Sequence, residues 1–158
     1  MVTQELAQEQ ATRYYIDLQW YNEHNRSFQV MAQARMCRSC QAKLGTAVQE
    51  RVPKIDPKTG RVVFELQSVP YGSNPLSVIR SCCSKERYYI TPETPIAEAI
   101  FRVLLANGNQ PSDAETIREQ LSNWISLLDR PHGYSAEIIA KIIEHDTYYG
   151  LRPFPTSA

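Results

Sequence analysis

Two stretches near the start of the chain alternate apolar and polar side chains at every second position, which is typical of β-strands. Residues 14–21 and residues 28–35 both show this alternation, and residues 22–25, Asn-Glu-His-Asn, have the composition of a turn. We therefore expect a β-hairpin whose second strand leads directly into Cys37.

Further strand and turn signals follow in the first half of the chain. Residues 56–60, Asp-Pro-Lys-Thr-Gly, predict a tight turn, and residues 61–69 after it predict a strand. Residues 75–80 predict a short helix, and residues 85–90 predict a last strand. This half should therefore be rich in β-structure.

The second half has the apolar spacing of three helices. Thr94 is expected to cap the first helix, with Pro95 at its first helical position. Ser112 and Glu115 form a capping-box pattern for the second helix, and Ser135 is expected to cap the third. The apolar positions that define these helices are Ile96, Ile100, Val103 and Leu104, then Ile117, Leu121, Trp124, Ile125 and Leu128, then Ile138, Ile139, Ile142 and Ile143.

Two prolines within residues 91–95 interrupt regular structure and mark a boundary. The predicted fold class is α+β, with a small β-rich metal-binding module over residues 1–91 and a three-helix domain over residues 92–158.

The charged residues are also distributed unevenly between the two sides of this boundary. The 158 residues carry 17 Lys and Arg against 17 Asp and Glu, a net charge of zero, which excludes a protein that binds nucleic acid through bulk charge alone. The first module holds 12 positive and 8 negative residues, and the second holds 5 and 9. We expect any nucleic-acid contact in the first module and a protein partner on the acidic second one. The candidate nucleic-acid contacts are Arg26, Arg35, Arg38, Lys43, Arg51 and Lys54.

The four cysteines carry the clearest chemical signal. Cys37 and Cys40 form a C-x-x-C motif, which suits one side of a tetrahedral zinc site, and Cys82 and Cys83 form an adjacent pair. Because neighbouring side chains of a strand point to opposite faces, the pair would have to lie in a turn or at a helix end for both to bind one Zn²⁺ ion. His24 is the alternative fourth ligand. Buried reduced thiols, a redox pair of Cys37 and Cys40, and iron–sulfur ligation stay open as other interpretations.

The sequence has few signals for catalysis or for insertion into a membrane. The sequence contains no phosphate-binding glycine loop, nucleophile elbow or H-E-x-x-H motif, so we expect no enzyme. Residues 1–12 lack the features of a signal peptide, and no apolar stretch is long enough to span a bilayer, so we expect a cytoplasmic protein without a membrane partner.

The element order of the second half resembles the winged-helix domains of the HARE type. The resemblance rests on residues 95–105, 108–111 and 113–121 and on the closing residues 148–152. The first half resembles a zinc ribbon at its four cysteines alone. In winged-helix DNA binders the third helix enters the major groove, which the resemblance would assign to residues 135–144. The positions off its apolar face are Ala136, Glu137, Ala140, Lys141 and Glu144.

Two carboxylates against one ammonium make that helix a poor surface for DNA, and this favours an adaptor role. The sequence therefore predicts a non-enzymatic zinc-binding regulatory or adaptor protein, and the winged-helix resemblance implies a link to transcription or another nucleic-acid process. The alternatives are a protein-binding subunit of a larger complex without nucleic-acid contact, and a thiol redox protein that uses Cys37 and Cys40.

Overall fold

The computed structural model describes residues 11–126 and 134–156. Helices and short strands alternate along them, and the α+β fold class is confirmed. The strands are β1 (Arg13–Ile16), β2 (Ala47–Ile55), β3 (Val62–Pro70), β4 (Ser112–Asp113) and β5 (Leu151–Pro153). The helices are α1 (Leu18–Glu23), α2 (Phe28–Gln33), α3 (Arg38–Ala42), α4 (Pro75–Ser81), α5 (Ile96–Ala106), α6 (Ala114–Leu121) and α7 (Ala136–Glu144), and a 3₁₀ turn covers Cys83–Lys85.

The predicted N-terminal hairpin is wrong. Only β1 is a strand, and α1 and α2 follow it because polar side chains cap both helices. Asp17 Oδ1 accepts a hydrogen bond from the amide of Gln19 at 3.0 Å, and Ser27 Oγ accepts one from the amide of Val30 at 3.2 Å. The sequence of α2 also fits a helix, since Ala32 is fully buried while Val30 is exposed.

A three-stranded antiparallel sheet joins distant parts of the chain in the order β4-β1-β5. Tyr14 pairs with Ser112 on one side, and Ile16 pairs with Leu151 on the other. The hydrophobic core contains residues from both sides of the expected boundary, for example Ile79 and Leu104. The division into residues 1–91 and 92–158 stays a prediction.

The three helices of the second half are present, with corrected starts. Pro95 is itself the N-cap of α5, and Thr94 Oγ1 instead accepts from the amide of Thr91 at 3.0 Å. Asp113 caps α6, because its carboxylate accepts from the amide of Thr116 at 2.7 Å, whereas Ser112 belongs to β4.

Ser135 caps α7, as expected, by accepting from the amide of Ile138. Trp124 and Ile125 lie beyond the end of α6, and Leu128 lies outside the described residues. Among the helices described, none combines the length and apolar character needed to cross a bilayer.

Strands β2 and β3 form a long antiparallel hairpin, which we call the arm (residues 47–70). The register runs from the pair Ala47 and Pro70 at the base to the pair Ile55 and Val62 near the tip. The predicted turn and the strand after it are confirmed, and β2 is the partner that the sequence pattern did not indicate. None of the arm residues belongs to the buried core.

The strand predicted over residues 85–90 is wrong. Tight turns occupy this segment, in which the amide of Glu86 donates to the carbonyl of Cys83 and the amide of Tyr89 donates to that of Glu86. These turns bury Tyr89 and leave Tyr88 exposed.

Candidate metal centre

The four cysteines converge on one place beside the base of the arm. Their Sγ atoms all lie within 4.8 Å of one another, and those of Cys40 and Cys82 are 3.6 Å apart. A tetrahedral zinc site with Zn–S bonds of about 2.3 Å has sulfur–sulfur edges of about 3.8 Å. The four thiols, all free of disulfides, could therefore hold a metal ion.

The C-x-x-C motif is placed by helix α3. Cys37 is the N-cap of this helix, and its carbonyl accepts from the amide of Gln41 at 2.9 Å. The helical spacing of three residues brings Cys40, which is buried, onto the same side as Cys37. The expectation that the motif follows a β-hairpin is wrong, since the motif begins a helix.

The adjacent pair converges because the backbone changes direction between its members. Cys82 ends α4, where its amide donates to the carbonyl of Val78, and Cys83 begins the 3₁₀ turn. The two side chains therefore do not diverge as they would in a strand. This is the helix-end placement that a shared ion requires.

Two hydroxyl groups support the sulfur atoms. Tyr71 donates a hydrogen bond from its hydroxyl to Cys40 Sγ at 3.3 Å, and Ser39 Oγ lies 3.3 Å from Cys37 Sγ. Outer hydrogen bonds of this kind orient metal ligands and stabilise their charged forms. Ser39 lies inside the C-x-x-C motif, but Tyr71 was not predictable from the sequence, since no spacing rule connects it with Cys40.

The thiols have different electrostatic environments. The hydrogen bond with Ser39 lowers the pKa of Cys37 to about 6. The sulfur–sulfur hydrogen bond with Cys40 raises the pKa of Cys82 to about 11, and burial raises that of Cys83 to about 12. A divalent cation among the sulfur atoms would favour the thiolate form of all four.

His24 lies outside the group, so the alternative with histidine as the fourth ligand is wrong. Its ring stacks on Trp20 with 4.2 Å between centroids, and its Nδ1 lies 2.7 Å from the carbonyl oxygen of Trp20. These contacts hold the imidazole at the C-terminal end of helix α1, and the group of potential metal ligands consists of the four cysteines.

A cavity of about 400 Å³ adjoins the cluster, and Cys37, Cys83 and Tyr89 are among its lining residues. Arg35 and Arg102 also line it, and Glu98 accepts hydrogen bonds from both, at distances of 2.7–2.9 Å. Glu98 belongs to no motif that would indicate this position from the sequence. The Glu98 carboxylate holds the guanidinium groups of Arg35 and Arg102 beside the cysteine cluster, where thiolates would be negatively charged.

Two of the candidate nucleic-acid contacts bind other residues of this chain. Arg35 is bound to Glu98, and its side chain is only 12% exposed. Arg26 donates to the carbonyl of Tyr148 at 2.6 Å and lies 4.4 Å from the centroid of the Tyr148 ring. Both guanidinium groups therefore have partners within the protein, and their role in nucleic-acid binding stays a prediction.

The other four candidates lie on α3 and the arm. Arg38 and Lys43 are exposed at the two ends of α3. Arg51 and Lys54 are exposed on β2, and Lys54 Nζ pairs with Glu65 at 3.2 Å. An odd spacing in a strand places Arg51 and Lys54 on opposite faces of the arm. The role of these residues in nucleic-acid binding stays a prediction.

Comparisons with protein-family models, with curated proteins and with solved structures find no match to this chain.

Proposed function

We propose that Cys37, Cys40, Cys82 and Cys83 bind one Zn²⁺ ion, and that the chain is a non-enzymatic adaptor or regulatory protein built around this structural site. The observation that carries the proposal is the convergence of four thiols from two distant segments within 4.8 Å. A site with four thiolates has no open position for water or substrate, so its zinc is structural.

The two cysteine pairs enclose the arm in sequence. Cys40 and Cys82 are 42 positions apart, and the entire arm lies between them. A metal ion that joins the pairs closes this loop, and its binding free energy stabilises the fold because the unfolded chain has no preformed site. The proposed function of the metal is to fix the base of the arm to the helices.

Neighbouring contacts support this role for the metal. Gln33 of α2 donates to the carbonyl of Gly72 at 3.0 Å, and Tyr71 binds Cys40. On the other side, Ile79 of α4 is fully buried in the core. The metal would therefore connect segments that already contact the arm and the core.

The link to transcription or another nucleic-acid process remains part of the proposal. The order α5-β4-α6-α7-β5 is compatible with the winged-helix resemblance, which also stays a prediction. The exposed side chains Glu137, Lys141 and Glu144 give α7 a negative surface, which supports a protein partner on this helix in preference to DNA.

Metal analysis tests the zinc site. Protein purified without oxygen should contain one zinc ion per chain, with all four thiols slow to react until a chelator is added. Cys40→Ser should lose the metal, whereas His24→Ala is the matched control and should keep it. Protein that contains no metal, or a Cys40→Ser variant with full zinc content, would contradict the site.

A thiol redox function is the second candidate, because Cys37 begins a helix and thus lies where redox C-x-x-C motifs place their reactive thiol. The reaction would join the Sγ atoms of Cys37 and Cys40, with two electrons and two protons passing to a disulfide oxidant. It predicts metal-free protein in which these two thiols alone are oxidised and reduced reversibly. Stoichiometric zinc with four protected thiols would exclude it.

A titration with duplex and single-stranded DNA at low and moderate salt tests the nucleic-acid link. If the first module binds, Arg38→Glu with Lys43→Glu should weaken binding and flatten its salt dependence. Arg118→Glu on α6 serves as the control. An unchanged affinity and salt slope would remove these residues from the interface.

A further inference from the structure

Toward the tip of the arm, one face carries five apolar side chains among six. Because side chains alternate along a strand, the cross-strand pairs Ile55–Val62, Pro53–Phe64 and Arg51–Leu66 share one face. We call its five apolar members the apolar face: Pro53, Ile55, Val62, Phe64 and Leu66. The exposed fractions are 70% for Ile55, 59% for Val62, 63% for Phe64 and 70% for Leu66.

The opposite face is mixed. It carries Glu50, Lys54 and Glu65, and the ion pair of Lys54 with Glu65 crosses the two strands on it. It also carries four valines, of which Val48, Val52 and Val69 are half-buried. The most exposed apolar side chains of the arm therefore lie on the other face, which is the pattern of a sheet face that packs against another layer. The hydrophobic core does not cover the apolar face, since no residue of the arm belongs to that core.

A two-stranded ribbon without a third strand or a covering layer is only marginally stable in water. Packing against a second sheet would give it the missing layer at a spacing of about 10 Å. The partner must then offer an apolar surface of matching size.

We infer that the apolar face packs against the same face of a second copy of this chain and forms a two-fold symmetric dimer. A self-complementary patch needs no other partner, and two-fold dimers are the commonest closed assemblies. With the symmetry axis parallel to the strands, the apolar pairs near one tip lie opposite those of the other.

The charges of the arm favour a second copy of this chain over a polyanion as the partner of the apolar face. The arm carries four positive residues (Arg51, Lys54, Lys58 and Arg61) and three negative ones (Glu50, Asp56 and Glu65). The whole chain has a net charge of zero, so two copies do not repel each other. A nucleic acid would meet an apolar face with one cation, Arg51.

The exposed area of the apolar face also matches the area that a dimer interface needs. The four large side chains leave on the order of 500 Å² exposed on one copy, which is at the upper end for the largest apolar patch of a monomer. Two such faces bury about 1,000 Å² in total, which reaches the size that a specific interface needs.

Light scattering coupled to size-exclusion chromatography tests this inference on the full chain with its bound metal. The wild type should have twice the mass of one chain. Phe64→Asp with Leu66→Asp should have the mass of a single chain. Val63→Asp with Gln67→Asp is the matched control, with two substitutions on the same strand but on the opposite face, and it should remain a dimer.

Phe64→Thr is a milder variant that keeps a residue favourable to strands. It should raise the dimer dissociation constant at least tenfold, with the circular dichroism spectrum unchanged. Zinc content, measured on every variant, should stay the same, which separates this inference from the proposed metal site.

A wild-type chain that is monomeric at every concentration would overturn the inference. A double variant of the apolar face that remains dimeric would also overturn it, because another surface would then form the contact. Equal loss of the dimer in the control on the opposite face would show that the apolar face is not the interface.

Discussion

Helix α5 and the arm contain the same kinds of apolar side chain, but the fold uses them in opposite ways. Six of the eleven residues of α5 are buried, including Ile100 and Phe101. In the two nine-residue strands of the arm, Val48, Val52 and Val69 are half-buried and every other side chain is exposed. Apolar character alone therefore does not show which segment forms the core.

The difference lies in how each element is held. Helix α5 packs against other helices and the three-stranded sheet, so burial stabilises it along its whole length. The arm is held by hydrogen bonds between its own strands and by its base, where Tyr71 contacts the cysteine cluster. Perturbations of the base should thus affect the arm first, and perturbations of the core should affect the whole fold.

Removal of the proposed zinc ion should have the largest effect. Because structural zinc supplies much of the folding free energy of small sites, we expect a loss of about 5 kcal/mol or more. Hydrogen exchange measured by mass spectrometry should rise first at residues 71–85 and at the arm, and least in α5. Equal exchange before and after complete removal of zinc would contradict the proposed anchoring of the arm.

Replacement of a core isoleucine should have the next largest effect. Ile79 on α4 is fully buried, so Ile79→Ala should lower the free energy of unfolding by about 4 kcal/mol. Ile55→Ala makes the same change at a side chain that is 70% exposed and should alter it by less than about 0.5 kcal/mol under monomeric conditions. Urea unfolding of both variants gives the comparison, and similar losses would show that the arm is part of the core.

Glu98 should matter less than Ile79 but should make stability depend on pH. Burial opposes its ionisation, but the hydrogen bonds and charges of Arg35 and Arg102 outweigh burial and lower the pKa of Glu98. Glu98→Gln should cost about 3 kcal/mol at pH 7, since it leaves two partly buried guanidinium groups without their carboxylate. Urea unfolding at a series of pH values measures this loss.

The sign of the pH dependence follows from the lowered pKa. The stabilisation is fully present above the unfolded-state pKa of a glutamate and is lost as the pH falls through the lower folded-state pKa. The difference between wild type and Glu98→Gln should therefore shrink in acid, and a constant difference would contradict the role of the carboxylate. Glu115→Gln, at an exposed pair with Arg118, is the control and should cost less than about 1 kcal/mol.

The smallest effect is expected from a single methyl group at the base of the arm. Gly72 has φ +80°, and an added Cβ would lie 2.6 Å from Leu44 Cδ2. Gly72→Ala should therefore cost about 2 kcal/mol. Gly60 also has a positive φ, +70°, but its Cβ would meet open space, so Gly60→Ala should cost only about 1 kcal/mol in thermal unfolding. Equal costs would indicate that the base is not tightly packed.

The candidate site was more predictable than the fold around it. The C-x-x-C motif and the second cysteine pair identify four candidate ligands from sequence, because metal geometry restricts which residues can share an ion. The placement of Cys83 depends on where α4 ends, and the contribution of Tyr71 depends on the return of the arm. Both require the three-dimensional structure.

The errors in predicted structure have local and long-range causes. The alternation over residues 28–35 suggested a strand, but the cap at Ser27 and the burial of Ala32 favour a helix. Strand β2 was hidden by its charged residues and by Pro53, although the turn after it was recognised. The pairing of β1 with β5 joins residues more than 130 positions apart, which no local pattern encodes.

The two ends of the arm leave the rest of the molecule side by side, where the amide of Tyr71 donates to the carbonyl of Thr46 at 2.7 Å. The arm is thus an insertion whose length is independent of the helices that carry it. Removal of two residues from each strand would shorten it by about 7 Å and keep the alternation of its faces. In a dimer joined near the tips of the arms, the number of residue pairs in the arm would set the distance from the dimer contact to each helical body.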